Sequence, residues 1–184
     1  MRSVWVMLLM LFTSQAIAQR ANCDSIVWKA SRKLSWNDYR GYPVVATRVA
    51  ASTHYSFVHS WHITGNVFIA NVICIFEPCV SWAKGKNSAE LLAHEQGHFD
   101  IAEFFRRSYN KRVSQLSGTP QTVQQAEAQI YTEMRHDCEQ IQATYDATTN
   151  HGLITDKQTQ WLIRIQSMLD ATSQYDMEEV RVNL

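Results

Sequence analysis

The feature that most constrains this chain is a pentad, His94-Glu95-Gln96-Gly97-His98, whose chemistry requires a helix. Each helical residue advances about 100°, so histidines four apart stand roughly 40° apart on one face, one turn along. Two imidazoles so placed can hold one zinc ion. Glu95 between them can then act as general base on a zinc-activated water. The flanking sequence is helical. Asn87-Ser88-Ala89-Glu90 reads as a capping box, apolar residues recur from Leu91 through Phe99, Phe105 and Tyr109 to Leu116, and Gly118 with Pro120 ends the run. Gly97 inside that helix costs about 1 kcal/mol relative to alanine. It either admits another segment close to the motif or is a tolerated glycine.

The N-terminus reads as an export signal. Arg2 is the only charge before Arg20, and Val4 to Phe12 are all apolar, a run too short to span a bilayer. Ala16-Ile17-Ala18 offers small residues at −3 and −1, so residues 1–18 are expected to be a signal peptide cleaved after Ala18. Residues 19–184 then form a single domain, secreted or periplasmic, with no stable membrane anchor after cleavage. The 17 basic and 17 acidic side chains balance, and no charge run points to nucleic acid. Four cysteines, Cys23, Cys74, Cys79 and Cys138, favour two disulfides in an exported protein. Pro78 could turn the chain between Cys74 and Cys79, which leaves Cys23 with Cys138. A thiolate zinc site is the alternative, but it lacks C-x-x-C spacing.

From about Ile26 to Trp82 the sequence is rich in β-branched and aromatic residues. Val67 to Phe76 reads as a buried strand after a Gly65-Asn66 turn, and three or four strands are expected before the motif helix. A second helix should run from about Gln121 to Thr149, with Val123, Ala126, Ile130, Met134, Cys138, Ile141 and Tyr145 as its apolar stripe. Gly152 is a plausible left-handed cap after it. A third helix is expected over about 156–171, and the residues past Tyr175 look like a tail. The fold class is therefore α+β: antiparallel or mixed strands, two long packed helices and a shorter C-terminal helix, zincin-like in character.

A catalytic zinc site needs a third protein ligand. Asp100 and Glu103 lie about 240° and 180° from the His94 direction, which points both away as surface or outer carboxylates. Glu127, Glu133 and Glu139 fall on the second helix but off its apolar stripe. The cluster Tyr145-Asp146-Ala147-Thr148-Thr149-Asn150-His151-Gly152 remains. His151 can be a ligand, Asp146 can be a ligand or can orient an imidazole, and Tyr145 can donate to a developing oxyanion. Each also has an ordinary role: His151 as a helix-end residue, Asp146 as a surface charge, Tyr145 as core. Of the other histidines, His54, His59 and His62 are expected on strands as surface or strand-pair residues, and His136 in solvent.

Leu91-Leu92-Ala93-His94-Glu95-Gln96-Gly97-His98-Phe99-Asp100-Ile101-Ala102-Glu103 resembles a bacterial family of formally unknown function described as predicted secreted zinc-dependent proteases. Tyr145-Asp146-x-x-Thr149-x-His151-Gly152 is similar to its second signature. Leu34-Ser35-Trp36-Asn37-Asp38-Tyr39-Arg40-Gly41-x-Pro43 is similar to its N-terminal signature, and Ser81-Trp82 to its pre-helix pair. The resemblance implies one Zn2+ held by His94, His98 and a residue of the second signature, His151 being the favoured one. With Glu95 as base and Tyr145 as oxyanion donor, the expected activity is hydrolysis of a peptide or protein substrate. The alternatives are an amidase acting on cell-wall peptides and a non-catalytic zinc-stabilised module of the cell envelope.

Overall fold

The computed structural model describes residues 23–85 and 88–184. The expected signal peptide, residues 1–18, and Asn87 lie outside the described residues. The spine is a long hairpin. Strands β3 (Tyr55–Thr64) and β4 (Val67–Phe76) pair antiparallel from Tyr55↔Phe76 to Thr64↔Val67. Gly65 turns the hairpin at φ +58°, a conformation that costs glycine little. Along β4, Phe68, Ala70, Val72, Cys74 and Phe76 are all buried, the period of two expected of a strand with one face in the core.

β4 is central because its other edge carries two short strands. β1 (Ile26–Val27) pairs with Phe76 and Ile75, and β6 (Glu179–Asn183) pairs with residues Val67 to Asn71. A second, two-stranded sheet joins β2 (Ala51–Ser52) to β5 (Trp82–Ala83). The helices α1 (Ala89–Val113), α2 (Pro120–Thr149) and α3 (Thr155–Ala171) follow. α1 lies against the sheet, where Phe99 meets Phe76 with ring centroids 5.9 Å apart. The fold is α+β, with the expected order of antiparallel strands, two long helices and a shorter third.

Several expectations are corrected. The residues past Tyr175 are not a tail: Val180 and Val182 alternate with charged neighbours and are buried in β6, which completes the sheet. The disulfide joins Cys23 to Cys79, with Cα atoms 5.8 Å apart, and Cys74 and Cys138 are buried free thiols. Strand register explains the pairing. Ile26 lies opposite Phe76, so Cys23, three residues before, falls opposite Cys79, three residues after. Cys74 instead points into the core from β4, and burial raises its thiol pKa well above the usual value.

The cap of α1 is Ser88, one residue later than expected, its hydroxyl accepting from the Leu91 N–H at 3.0 Å. Glu127 lies on the buried stripe of α2 and is fully buried, accepting from the Tyr109 hydroxyl at 2.5 Å. His59, on its strand as expected and partly buried, lies 2.7 Å from the same carboxylate and stacks on Tyr131, so it links β3 to α2. Asp100 and Glu103 are likewise interior. Asp100 accepts from the Trp28 indole at 2.7 Å, and Glu103 pairs with Arg106 and Arg107, each through contacts of 2.7 Å. These carboxylates fix α1 to the strands and to the segment before β6, since both arginines also reach Asp176.

Candidate metal centre

The candidate ligand atoms come from two helices that meet beside the motif. His94 and His98 project from one face of α1, as their four-residue spacing dictates. Asp146 projects from the last turn of α2. Its Oδ1 lies 3.1 Å from His94 Nε2 and 3.0 Å from His98 Nε2, and the two Nε2 atoms are 3.2 Å apart. Among the described residues these three form a group that could hold a metal ion. Bonds of about 2.0–2.1 Å at tetrahedral angles put ligand atoms roughly 3.3 Å apart, so the triangle is close to the size zinc requires.

Proton placement sharpens the fit. His94 Nδ1 is 3.0 Å from Gln158 Oε1, and the Gln158 amide nitrogen donates to the Tyr145 hydroxyl at 2.7 Å. The Tyr145 hydroxyl in turn donates to the His94 carbonyl at 3.2 Å. This closed ring of bonds places a proton on His94 Nδ1. His98 Nδ1 lies 2.5 Å from Gln142 Oε1, while the Gln142 amide nitrogen donates to the His98 carbonyl at 2.8 Å. His98 Nδ1 therefore also carries a proton. Both Nε2 lone pairs are left facing a carboxylate oxygen. Three acceptors so close require a cation between them, a proton or a metal. In the protein without metal, burial opposes charge on His98. The Asp146 hydrogen bond and charge outweigh it, and the imidazole pKa is raised. Partial burial likewise works against ionisation of Asp146. Its contacts with the His94 and His98 rings and the charge of protonated His98 overcome it and hold the carboxyl well below its usual range.

The end of α2 is shaped to present these groups. Asn150, His151 and Gly152 all have positive φ, at 49°, 54° and 82°. A non-glycine residue held there costs on the order of 1 kcal/mol, so two in succession mark a conformation enforced by its surroundings. Thr149, fully buried, enforces it: its hydroxyl donates to the Tyr145 carbonyl at 2.7 Å and accepts from the Gly152 N–H at 3.1 Å. Gly152 also packs on the motif, where a Cβ would lie 3.0 Å from His94 Cβ and Cγ. The turn leaves His151 Nδ1 at 3.3 Å from Asp146 Oδ1. His151 is thus beside the triangle and about half exposed, while Asp146 takes the third corner.

Tyr145 has a different place from that of an oxyanion donor facing a cleft. It is fully buried, its ring stacks on His94 at 4.6 Å, and its hydroxyl is committed to His94 and Gln158. Gly97 is the reason it fits. A Cβ at Gly97 would come within 2.4 Å of the Tyr145 hydroxyl, so the glycine admits the tyrosine under the motif helix. Glu95 is 3% exposed and accepts from the Thr53 hydroxyl at 2.6 Å. Gln96 ties the motif to the N-terminal segment, accepting from the Leu34 N–H at 2.7 Å.

Sequence reasoning missed Gln142, Gln158 and Thr53. Gln142 was findable: it lies four residues before Asp146, on the same face of α2. Gln158 and Thr53 reach the site only through the tertiary packing of α3 and of the β2–β3 connection. Residues 81–152 contain Ser81, Glu95, Gly97, the three corners of the triangle, His151 and Gly152. No curated protein and no solved structure matches the chain. Residues 81–152 match the model of a family described as a bacterial protein of unknown function, DUF922.

Proposed function

We propose that this protein is an exported zinc-dependent metallopeptidase. His94, His98 and Asp146 hold the ion, and Glu95 is the general base. The observation that carries the reading is the meeting of three acceptor atoms within 3.2 Å of one another, one helical turn spanning Glu95. Zinc held there would supply Lewis acidity that polarises a carbonyl and brings the pKa of water to about 7. The protein's own groups do the rest. Gln142 and Gln158 keep both imidazoles in the tautomer with Nε2 free. Glu95 takes a proton from the attacking water and delivers it to the leaving nitrogen. Asp146, about one third exposed, leaves the outer side of the triangle accessible to a substrate. The Cys23–Cys79 disulfide suits an oxidising compartment outside the cytoplasm. Among the described residues no helix is long and apolar enough to cross a membrane.

One observation favours a second reading. His151 Nδ1, 3.3 Å from the shared carboxylate oxygen, is near enough to become a fourth protein ligand. A site closed in that way would be a structural zinc centre in a binding module of the cell envelope. Glu95→Gln separates the two. In a peptidase the variant keeps its zinc and loses hydrolysis of a mixed peptide library and of cell-wall peptides. In a structural module the wild type hydrolyses neither.

A further inference from the structure

We propose that Thr53 is the positioning residue of Glu95, in a hydrogen-bonded chain that runs from Tyr39 through Thr53 to the Glu95 carboxylate. The inference rests on Glu95 being the base. Tyr39 and Thr53 lie outside the metal triangle and before the segment that matches the family.

Thr53 stands between β2 and β3. Its Oγ1 is 2.6 Å from Glu95 Oε2, 2.7 Å from the Tyr39 hydroxyl and 3.2 Å from the Glu95 carbonyl. A threonine hydroxyl has one proton, and an ionised carboxylate can only accept. The shortest contact therefore takes the Thr53 proton to Oε2, and the contact with Tyr39 is a hydrogen bond only if Tyr39 donates. Burial, followed by the nearby Glu95 charge, raises the Tyr39 pKa, so the phenol keeps the proton it donates. The direction of the chain is thus fixed from Tyr39 to Thr53 to Glu95. Oε2 is the oxygen held by Thr53, and Oε1 takes no bond from this chain of donors.

Both donors are pinned by one segment, residues 78–81. The Arg40 N–H donates to the Pro78 carbonyl at 2.9 Å and the Gly41 N–H to the Ser81 carbonyl at 2.8 Å, which seats Tyr39. A Cβ on Gly41 would lie 2.8 Å from that same Ser81 oxygen, so a glycine is needed for the approach. The Ser81 side chain, fully buried, accepts from the His54 N–H at 2.9 Å, which seats Thr53. The disulfide partner Cys79 lies within this segment. The strand region therefore supplies a rigid support for the base, in addition to its packing against α1. A free glutamate side chain has three rotatable bonds, and a misplacement of about 1 Å can cost about 100-fold in rate.

The test compares Thr53→Val, which removes the hydroxyl at nearly constant shape, with Thr53→Ser, which restores it. Zinc-loaded proteins are crystallised, and kcat and KM are measured on whichever library peptide the wild type cleaves. The expected result is that Thr53→Val keeps its zinc and its KM, loses about 10- to 100-fold in kcat, and shows the Glu95 carboxylate turned away from its wild-type position. Thr53→Ser should recover most of kcat and the wild-type orientation. If Thr53→Val fails to fold, Tyr39→Phe takes its place and should lower kcat in the same sense. An unmoved Glu95 with unchanged kcat in Thr53→Val would overturn the proposal, as would equal losses in the valine and serine variants. Should the wild type cleave nothing, a Glu95 carboxylate turned in Thr53→Val and restored in Thr53→Ser still supports the positioning role, while the peptidase reading fails separately.

Discussion

Gln142 grips His98 at both ends: its amide oxygen sits 2.5 Å from the ring Nδ1, and its amide nitrogen donates to the His98 carbonyl at 2.8 Å. One side chain thus fixes the ring's tautomer and its rotation together. Gln158 does the same for His94 from a different helix, through the ring nitrogen and the Tyr145 hydroxyl. Gln142→Leu and Gln158→Leu should each weaken zinc binding about 10- to 100-fold, the usual cost of removing a group that orients a metal-bound histidine. Competition with a chromogenic chelator measures it. Unaltered affinity in both variants would mean that the glutamines serve packing alone.

Gly97→Ala tests the seat of Tyr145. On an exposed helix the change would stabilise by up to about 1 kcal/mol. Here the added Cβ would meet the Tyr145 ring and hydroxyl, so a destabilisation of about 1–3 kcal/mol is expected from overpacking. Thermal unfolding of the metal-free protein gives the sign, and a raised Tm would contradict the packing described.

The pH dependence of the metal-free protein follows from the pair His98 and Asp146. The His98 pKa is raised above its ordinary 6.5, so its contribution to stability is complete below that value and is lost as pH rises through the folded pKa. The Asp146 pKa is lowered from 3.8, so its contribution is complete above that value and is lost as pH falls through the folded pKa. Both contributions are present together between pH 3.8 and 6.5. Chelated protein should show its pair-dependent stability in that window, and Asp146→Asn should remove it. Zinc competes with the His98 proton, so zinc affinity should fall with acidification from above pH 6.5. Melting curves with and without zinc across pH check both signs.

Thiol counting tests the disulfide. Without reductant, the unfolded chain should expose two reactive thiols, Cys74 and Cys138, and the folded chain essentially none, since both are buried. Cys23→Ser with Cys79→Ser should cost about 2–4 kcal/mol, because the bridge closes a loop of 56 residues in the unfolded chain. Four thiols, or a bridge mapped to Cys74, would contradict the register argument.

Much of this architecture could be read from local periodicity. The three helices, the β3–β4 hairpin and its Gly65 turn follow from patterns that span only a few residues. β6 was missed because its signal is two valines among charged residues, and it is a strand only because β4 has a free edge there. The cysteine pairing depended on the register of β1, and two paired residues are too few to predict from sequence. Glu127 broke the expected apolar stripe because a buried carboxylate can replace a hydrophobic residue when His59 and Tyr109 satisfy one of its oxygens. In the site, the helix spacing put His94 and His98 on one face of α1, where their Nε2 atoms meet. That Asp146 rather than His151 closes the triangle with the two imidazoles follows three consecutive residues with positive φ, a conformation that only Gly152 signalled in the sequence. Tyr145 was legible as part of the site, but the ring beneath Gly97 makes it a support for His94.

The most direct test is the zinc content of the purified chain and four variants after equilibration with zinc and removal of the excess. One zinc per chain is predicted for the wild type, His151→Ala and Glu95→Gln, with loss of stoichiometric zinc in His98→Ala and Asp146→Asn. Full zinc in Asp146→Asn with loss in His151→Ala would contradict the triangle of His94, His98 and Asp146 as the metal centre.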